Sequence, residues 1–577
     1  MNFRPLFAAF AAALFFSTPL LADRQHTLHV VTTGDVHGCF FPDPYVGTKT
    51  RPSLMSVKHY VDSLRNAVGP DNVMLLDAGD ILQGDNCAYY FNYVKTDVPH
   101  LYSRMAAYMG YDAIAYGNHD IETGHPVYDK VAAELVSEGI PVLSGNILEQ
   151  DSRKPYYPVY KMFRKAGLKV AVLGFDNPNM KAWLSEDLWK GLDFVSLLPY
   201  VQECVDKVVR KEKPQLVIVL VHSGTGDGDG QVLESQALDL FKSLKGVDIL
   251  VGAHDHRPYT TAREDLVYLN GGARCGNVGH AVAELTTRCR KVTAKKLSGE
   301  IVRLDKNAID PQMKALFDPE FRMVKEFTLQ KVGRLEMPLV MRESYAGMCD
   351  YMNLLHTVQV SVPEADLSFA APLTFNGRVN SGDVIFNDLF TIYPFENQLF
   401  VMKLKGSEVK SYLEYSYDTW IQTPGDHVLR IVSAPDPRNG TERYSFVNRS
   451  YNFDSAGGLN YTVDVTKPAG SRVAISSLSD GRAFDPDAWY NVAMTSYRAN
   501  GGGNIIIKGA GIPKEEIDSR IVARYPEIRE MVYQYFKAKG TLTHELVSDP
   551  SVIGSWQFVP VQTVAPLMQA DLKLLFR

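Results

Sequence analysis

The sequence predicts an α/β fold in its first half, joined by a helix to a second, α+β domain. Three observations predict this. Short apolar runs alternate with amphipathic helical stretches from His26 to about residue 305. Asp318-Pro319 then reads as an N-cap followed by Pro at the first helical position, continued by Phe321, Val324 and Phe327. From about Tyr345 the texture shifts to strands punctuated by Gly and Asn, with a few helices among them. The expected division is 1–22, a leader; 23–305, the first domain; 306–344, a linker containing the helix; 345–540, the second domain; and 541–577, a tail without assignment.

The leader comes first. Arg4 precedes an unbroken apolar run, Leu6 to Phe16, which falls away through Ser17–Ala22 to Asp23-Arg24-Gln25. This is the pattern of a secretory signal peptide cut near Ala22, and the run is too short to span a bilayer. No Cys follows the run and the C-terminus lacks the apolar tail of a glycolipid anchor. The expectation is an exported protein, periplasmic or secreted, with no stable membrane anchor.

In the first domain His26 to Thr33 is a β-branched strand, and Leu54, Val57, Val61 and Leu64 share one helical face. Val73–Asp77 is a short buried strand, a helix covers Leu101–Met109, and a strand covers 112–116. Further strands fall at Leu168–Gly174, Leu216–Val221 and Val247–Val251, with a helix from Leu233 to Leu244 between the last two. Leu266–Thr287, broken by Asn-Gly-Gly at 270–272, adds later strands.

Composition narrows the class. The 577 residues are 45% hydrophobic and 22% charged with a net charge of -6, an ordinary globular balance. No basic run is present to neutralise a nucleic-acid duplex. Six cysteines in 577 residues are too few for a disulfide framework. Cys204 sits in an apolar stripe with Val201, Val205 and Val208 and reads as a buried thiol; Cys275 and Cys289 could reach each other across adjacent strands.

Five blocks then share one design. Asp35-Val36-His37-Gly38 follows the first strand, Gly79-Asp80 the second, and Gly117-Asn118-His119-Asp120 the third. His222 closes Val-Ile-Val-Leu-Val, and His254-Asp255-His256 follows Ile249–Gly252. Open α/β sheets bind ligands at the carboxyl ends of their strands. A single His after a strand is an ordinary polar loop residue. Five strand ends each carrying His, Asp or Asn form a ligand set of mixed imidazole and carboxylate type, too large for one tetrahedral ion.

The order Asp-x-His, Gly-Asp, Gly-Asn-His-Asp, His, His-x-His resembles that of the calcineurin-like metallophosphoesterases. With the second domain, the chain resembles the exported 5′-nucleotidase family, which includes UDP-sugar hydrolases and 2′,3′-cyclic-nucleotide phosphodiesterases. The resemblance implies a metallophosphoesterase β-sandwich flanked by helices, and a metal-dependent phosphoric ester hydrolase acting by metal-hydroxide attack on phosphorus. It implies two divalent cations (Zn, Mn, Fe, Co or Mg). One would be held by Asp35, His37, Asp80 and His256, the other by Asp80, Asn118, His222 and His254, with Asp80 bridging. It gives His119 a role in chemistry rather than metal binding, supported by Glu122 three residues on, and leaves Asp120 to brace the loop.

On the substrate side, Phe453 before Ser-Ala-Gly-Gly-Leu and Tyr497 before Arg-Ala-Asn-Gly-Gly match the family's two base-stacking aromatics. Aromatics in strands are also common core residues. The family's substrate-gripping Arg aligns with Asn376; Arg378, two residues on, would share its face in a strand. A second family Arg falls near Thr419. The expected partner is a small nucleotide. Two other readings share the architecture: a manganese hydrolase of the sulfur-oxidation type acting on a carrier protein, and a nucleotide-binding protein without activity.

Overall fold

The structure is a computed structural model that describes residues 23–230, 232–395, 397–436 and 440–577. The expected signal peptide, residues 1–22, lies outside the described residues. Two sheets pack face to face. One has the order Lys291–Arg303, Asn277–Arg288, Arg24–Thr33, Val73–Asp77, Ala113–Ile114. The other runs Tyr259–Arg263, Leu266–Asn270, Ile249–Gly252, Leu216–Val221, Leu168–Phe175, Tyr160–Lys165. Arg24–Thr33, Val73–Asp77 and Ala113–Ile114 are parallel, as are Leu168–Phe175, Leu216–Val221, Ile249–Gly252 and Leu266–Asn270.

The filling between the sheets is aliphatic and fully buried, with Leu28, Val30, Leu76, Val170, Ile218, Leu220 and Val251 among its members. Both faces of these strands are covered, which is why they read as continuous apolar runs. Helices Leu54–Val68, Leu101–Met109 and His125–Ser137 cover one outer face; Leu197–Glu212 and Ala237–Ser243 cover the other. The result is the predicted β-sandwich flanked by helices.

Several boundaries move. The third strand shortens to Ala113–Ile114, and the helix expected from Leu233 starts at Ala237. Asp318 is the first residue of the helix Asp318–Thr328 and Phe317 is its N-cap; a shorter helix, Pro311–Leu316, precedes it with the Asp310 side chain accepting from Met313 N. The expected linker does not run to 344. Lys331–Leu335 already pairs with Gly382–Ile385 and with Thr541–Leu542.

The tail is a working part of the second domain. Gly554–Val559 adds a parallel strand to Leu459–Asp464, and helix Val561–Leu575 carries Phe576 onto Phe375 (ring centroids 4.8 Å) and Tyr345 (6.0 Å). The second domain centres on a sheet ordered Ser455–Gly457, Leu367–Ala370, Trp489–Thr495, Gln398–Lys405, Ile521–Glu527. All six cysteines are free thiols: Cys204 is buried, while Cys275 is buried and Cys289 exposed, so those two do not pair.

Candidate metal centre and cleft

The five blocks converge. Asp35 and His37 leave the strand Arg24–Thr33, Asp80 leaves Val73–Asp77, and Asn118 follows Ala113–Ile114. His222 follows Leu216–Val221, and His254 and His256 follow Ile249–Gly252. Two groups form: Asp35, His37 and His256; and Asp80, His222 and His254, each with ligand-capable atoms within 4.8 Å of one another. His254 Nδ1 lies 2.9 Å from Asn118 Oδ1, which brings Asn118 to the second group.

The backbone is bent to achieve this. Among the described residues, thirteen non-glycine residues have positive φ, and five are candidate ligands: Asp35 (49°), His37 (47°), Asp80 (58°), His254 (77°) and His256 (59°). That conformation costs a non-glycine residue roughly 1–2 kcal/mol, and such strain gathers at functional sites. Gly79 is also at positive φ, where a Cβ would sit 2.5 Å from Gly117 N. A Cβ on Gly117 would strike Asp80 Oδ1 at 2.3 Å and His222 Cε1 at 2.6 Å. Asp120 braces these turns, accepting from the backbone N–H of Asp80, Ile81, Leu82 and Gly117 at 2.8–2.9 Å. Burial first, then the neighbouring Asp80 charge, pushes Asp120 up to about 6 against the pull of the Gly117, Ile81 and Leu82 donors.

The donor set fits divalent cations. His222 Nδ1 donates to Ala78 O at 2.8 Å, so in the neutral ring Nε2 carries a lone pair. That buried Nε2 has no hydrogen-bond partner yet sits 3.0 Å from Asp80 Oδ2. Two lone pairs face each other unless a proton or a cation lies between them. Burial opposes protonation of His222, but Asp80, with Asp35 and Asp176 behind it, pushes its pKa up to about 10. His37 repeats the pattern: Nδ1 pairs with Gln83 Oε1 at 3.1 Å and Nε2 faces His256 Nε2 at 2.9 Å. Burial keeps both of these rings neutral, His256 being lowered to about 4. Neutral imidazoles aimed at one point are metal ligands in waiting.

His119 stands beside this centre without joining either group. Its backbone N–H donates to Asp80 Oδ1 at 2.8 Å, its Nδ1 pairs with Glu122, and its ring lies 5.5 Å from that of His37. Asn118, His119 and Glu122 line a cleft of about 1050 Å³ whose opposite wall comes from the second domain.

That wall corrects the sequence reading. Tyr497 lines the cleft and is 39% exposed. Phe453 is fully buried, stacked on Trp420 (5.5 Å, 3°) with Phe446 edge-on at 5.1 Å; it is core. Two further accessible rings of this domain line the cleft: Tyr451, 39% exposed and edge-on to Tyr497 at 6.4 Å, and Phe395, 41% exposed. Both tyrosines are set by Arg498, which is buried, pairs with Asp454 at 2.7 Å and donates to Tyr451 O at 2.9 Å. Asn376 and Arg378 are not among the lining residues: both are exposed outside the cleft, and Arg378 Nε donates to Asn380 Oδ1. Thr419 is used within its own helix, its hydroxyl donating to Ser416 O. Trp183, Glu234 and Asp454 also line the cleft, and no spacing in the sequence marked them.

This fold and centre define a divalent-metal phosphoesterase, and comparison with known proteins agrees. Residues 28–258 match the calcineurin-like phosphoesterase family and residues 331–509 match the 5′-nucleotidase C-terminal domain. The chain belongs to the calcineurin-like phosphoesterases that carry a 5′-nucleotidase C-terminal domain. A Haemophilus influenzae 2′,3′-cyclic-nucleotide 2′-phosphodiesterase/3′-nucleotidase is 23% identical over 92% of this chain and 88% of its own. A Staphylococcus aureus structure assigned as a 5′-nucleotidase shares the fold at TM-score 0.74 and 21% identity, over 92% of this chain and 99% of that one. The Thermus thermophilus sulfate thiohydrolase SoxB shares it at TM-score 0.55 and 17% identity, over 92% and 97%.

Proposed function

We propose that the protein is an exported dimetal phosphohydrolase acting on nucleotides that carry a single phosphate, as a monoester or a 2′,3′-cyclic diester. One observation carries this reading: Asn118, His254 and His256, from the edge of the two ligand groups, and the His119–Glu122 pair line one wall of the cleft that Tyr451 and Tyr497 face from the other. Asp35, His37 and His256 would hold one divalent cation and Asn118, His222 and His254 the other, with Asp80 between them. Bound there, two cations neutralise phosphate charge and lower the pKa of water by several units.

The protein's own side chains supply the rest. Glu122 accepts the His119 Nδ1 proton and fixes the ring, so that the Nε2 edge carries the proton given to the departing oxygen. One of the two tyrosine rings holds the base by stacking and the other, edge-on to it, packs against the rim of the base. Away from the candidate ligands the cleft is lined by Glu122, Asp227, Glu234, Asp255 and Asp454 against Arg257 and the ion-paired Arg498. That lining disfavours a second phosphate. The name of the Haemophilus relative supports cyclic and 3′ substrates, and the apolar run Leu6–Phe16 supports export.

A panel on metal-loaded protein tests the reading: 5′-AMP, 3′-AMP, 2′,3′-cyclic AMP, ADP, UDP-glucose and an aryl phosphate. Monophosphates or the cyclic ester should lead in kcat/KM. A tenfold lead for ADP or UDP-glucose, or hydrolysis of thiosulfonates instead of phosphates, overturns it.

A further inference from the structure

His222 and His37 each have one ring nitrogen fixed by a hydrogen bond behind the centre, to Ala78 O and to Gln83. His254 is placed differently. It sits at φ 77° beyond the end of its strand, and its Nδ1 faces Asn118 Oδ1, itself a candidate ligand. What covers the ring is Trp183, stacked on it with centroids 5.4 Å apart and planes 11° from parallel. Its other nitrogen, Nε2, points towards Glu234, with Oε2 3.9 Å away.

These two neighbours are built into one unit. Trp183 ends the short helix Met180–Trp183, anchored by buried Met180 and by Lys181, whose Nζ is 2.6 Å from Asp193. The buried Asn177 accepts from Asn179 N at 3.2 Å at the start of that helix and donates through Nδ2 to Glu234 O at 3.1 Å. One amide therefore ties the segment bearing the indole to the segment bearing the carboxylate.

We propose that Trp183, seconded by Glu234, is a positioning residue that presents His254 to the Asp80–His222 cation. The inference rests on the dimetal reading above. The stack holds the ring plane, and the carboxylate facing Nε2 from 3.9 Å favours the orientation that leaves Nδ1 turned towards Asn118. Groups that orient a ligand in this way typically contribute 10–100-fold to metal affinity. Only one of the two ligand groups contains His254, so the effect is confined to one ion.

Titration of metal-free protein with Co²⁺ tests this by two readouts besides activity. Co²⁺ at this site lies near the indole and should quench Trp183 fluorescence in one of two binding steps. Trp183→Ala should weaken one step about 10–100-fold and leave the other unchanged, which also reports that the domain is folded. Trp183→Phe should abolish the quench while keeping affinity near wild type, and Glu234→Gln should weaken the same step. Trp183→Ala binding both ions with wild-type affinity, or weakening both equally, overturns the inference alone. Wild-type protein that takes up no Co²⁺ overturns the metal reading and this inference with it.

Discussion

The two walls of the cleft hold their functional residues by different means. On the phosphoesterase wall the candidate ligands follow parallel strands, and Asp120 clamps two of the turns through four backbone hydrogen bonds. On the opposite wall Tyr451 and Tyr497 stand on short helical turns, Ser450–Asn452 and Ser496–Ala499, held by one buried arginine, while Phe453, two residues from Tyr451, is packed inside. A residue at a strand end has its location set by topology. A ring on or just after a single helical turn is exposed or buried according to what packs beside it.

The largest test of that contrast is Asp80→Ala. Asp80 is 3.0 Å from His222 and accepts from His119 N, so both halves of the centre depend on it. We expect kcat/KM to fall by more than about 10³-fold, with at least one ion lost by elemental analysis. Activity within tenfold of wild type would break the strand-end account.

His119→Ala comes next. It should lower kcat by about 10²–10⁴-fold, the size of a proton-transfer contribution, with metal content intact. Recovery on adding metal would instead make His119 a ligand. Glu122→Gln should be milder.

The aromatic wall gives a two-sided test. Tyr451→Ala and Tyr497→Ala should each raise KM for a nucleotide by about tenfold, in line with stacking worth ~1–3 kcal/mol per base, and leave an aryl phosphate unaffected. Phe453→Ala should leave that KM alone and cost about 3–5 kcal/mol of stability in urea unfolding. A Phe453→Ala protein of normal stability with a raised nucleotide KM would return the ring to the site.

The smallest expected effects are those of Asn376→Ala and Arg378→Ala. Both residues are exposed outside the cleft, so all substrates should change by less than about twofold. A selective loss on ADP would show that Arg378 reaches the substrate.

The sequence by itself determined the layered α/β fold, the five strand ends and the seven polar residues after them. These are local properties: an apolar run forms a buried strand, and a His, Asp or Asn just beyond it must emerge at the sheet's carboxyl edge. Only the tertiary structure decided the substrate wall. The face-sharing rule for residues two apart holds in extended chain, and it fails at Tyr451 and Phe453 because Ser450–Asn452 is a helical turn that swings Phe453 onto Trp420. The tertiary structure likewise places Asn376 and Arg378 outside the cleft, where the exposed Phe375 meets Phe576 of a tail about two hundred residues away in sequence. Trp183 was silent for the same reason: its stack on His254 joins the short helix Met180–Trp183 to the turn after Ile249–Gly252, two segments that meet only when the second sheet is complete.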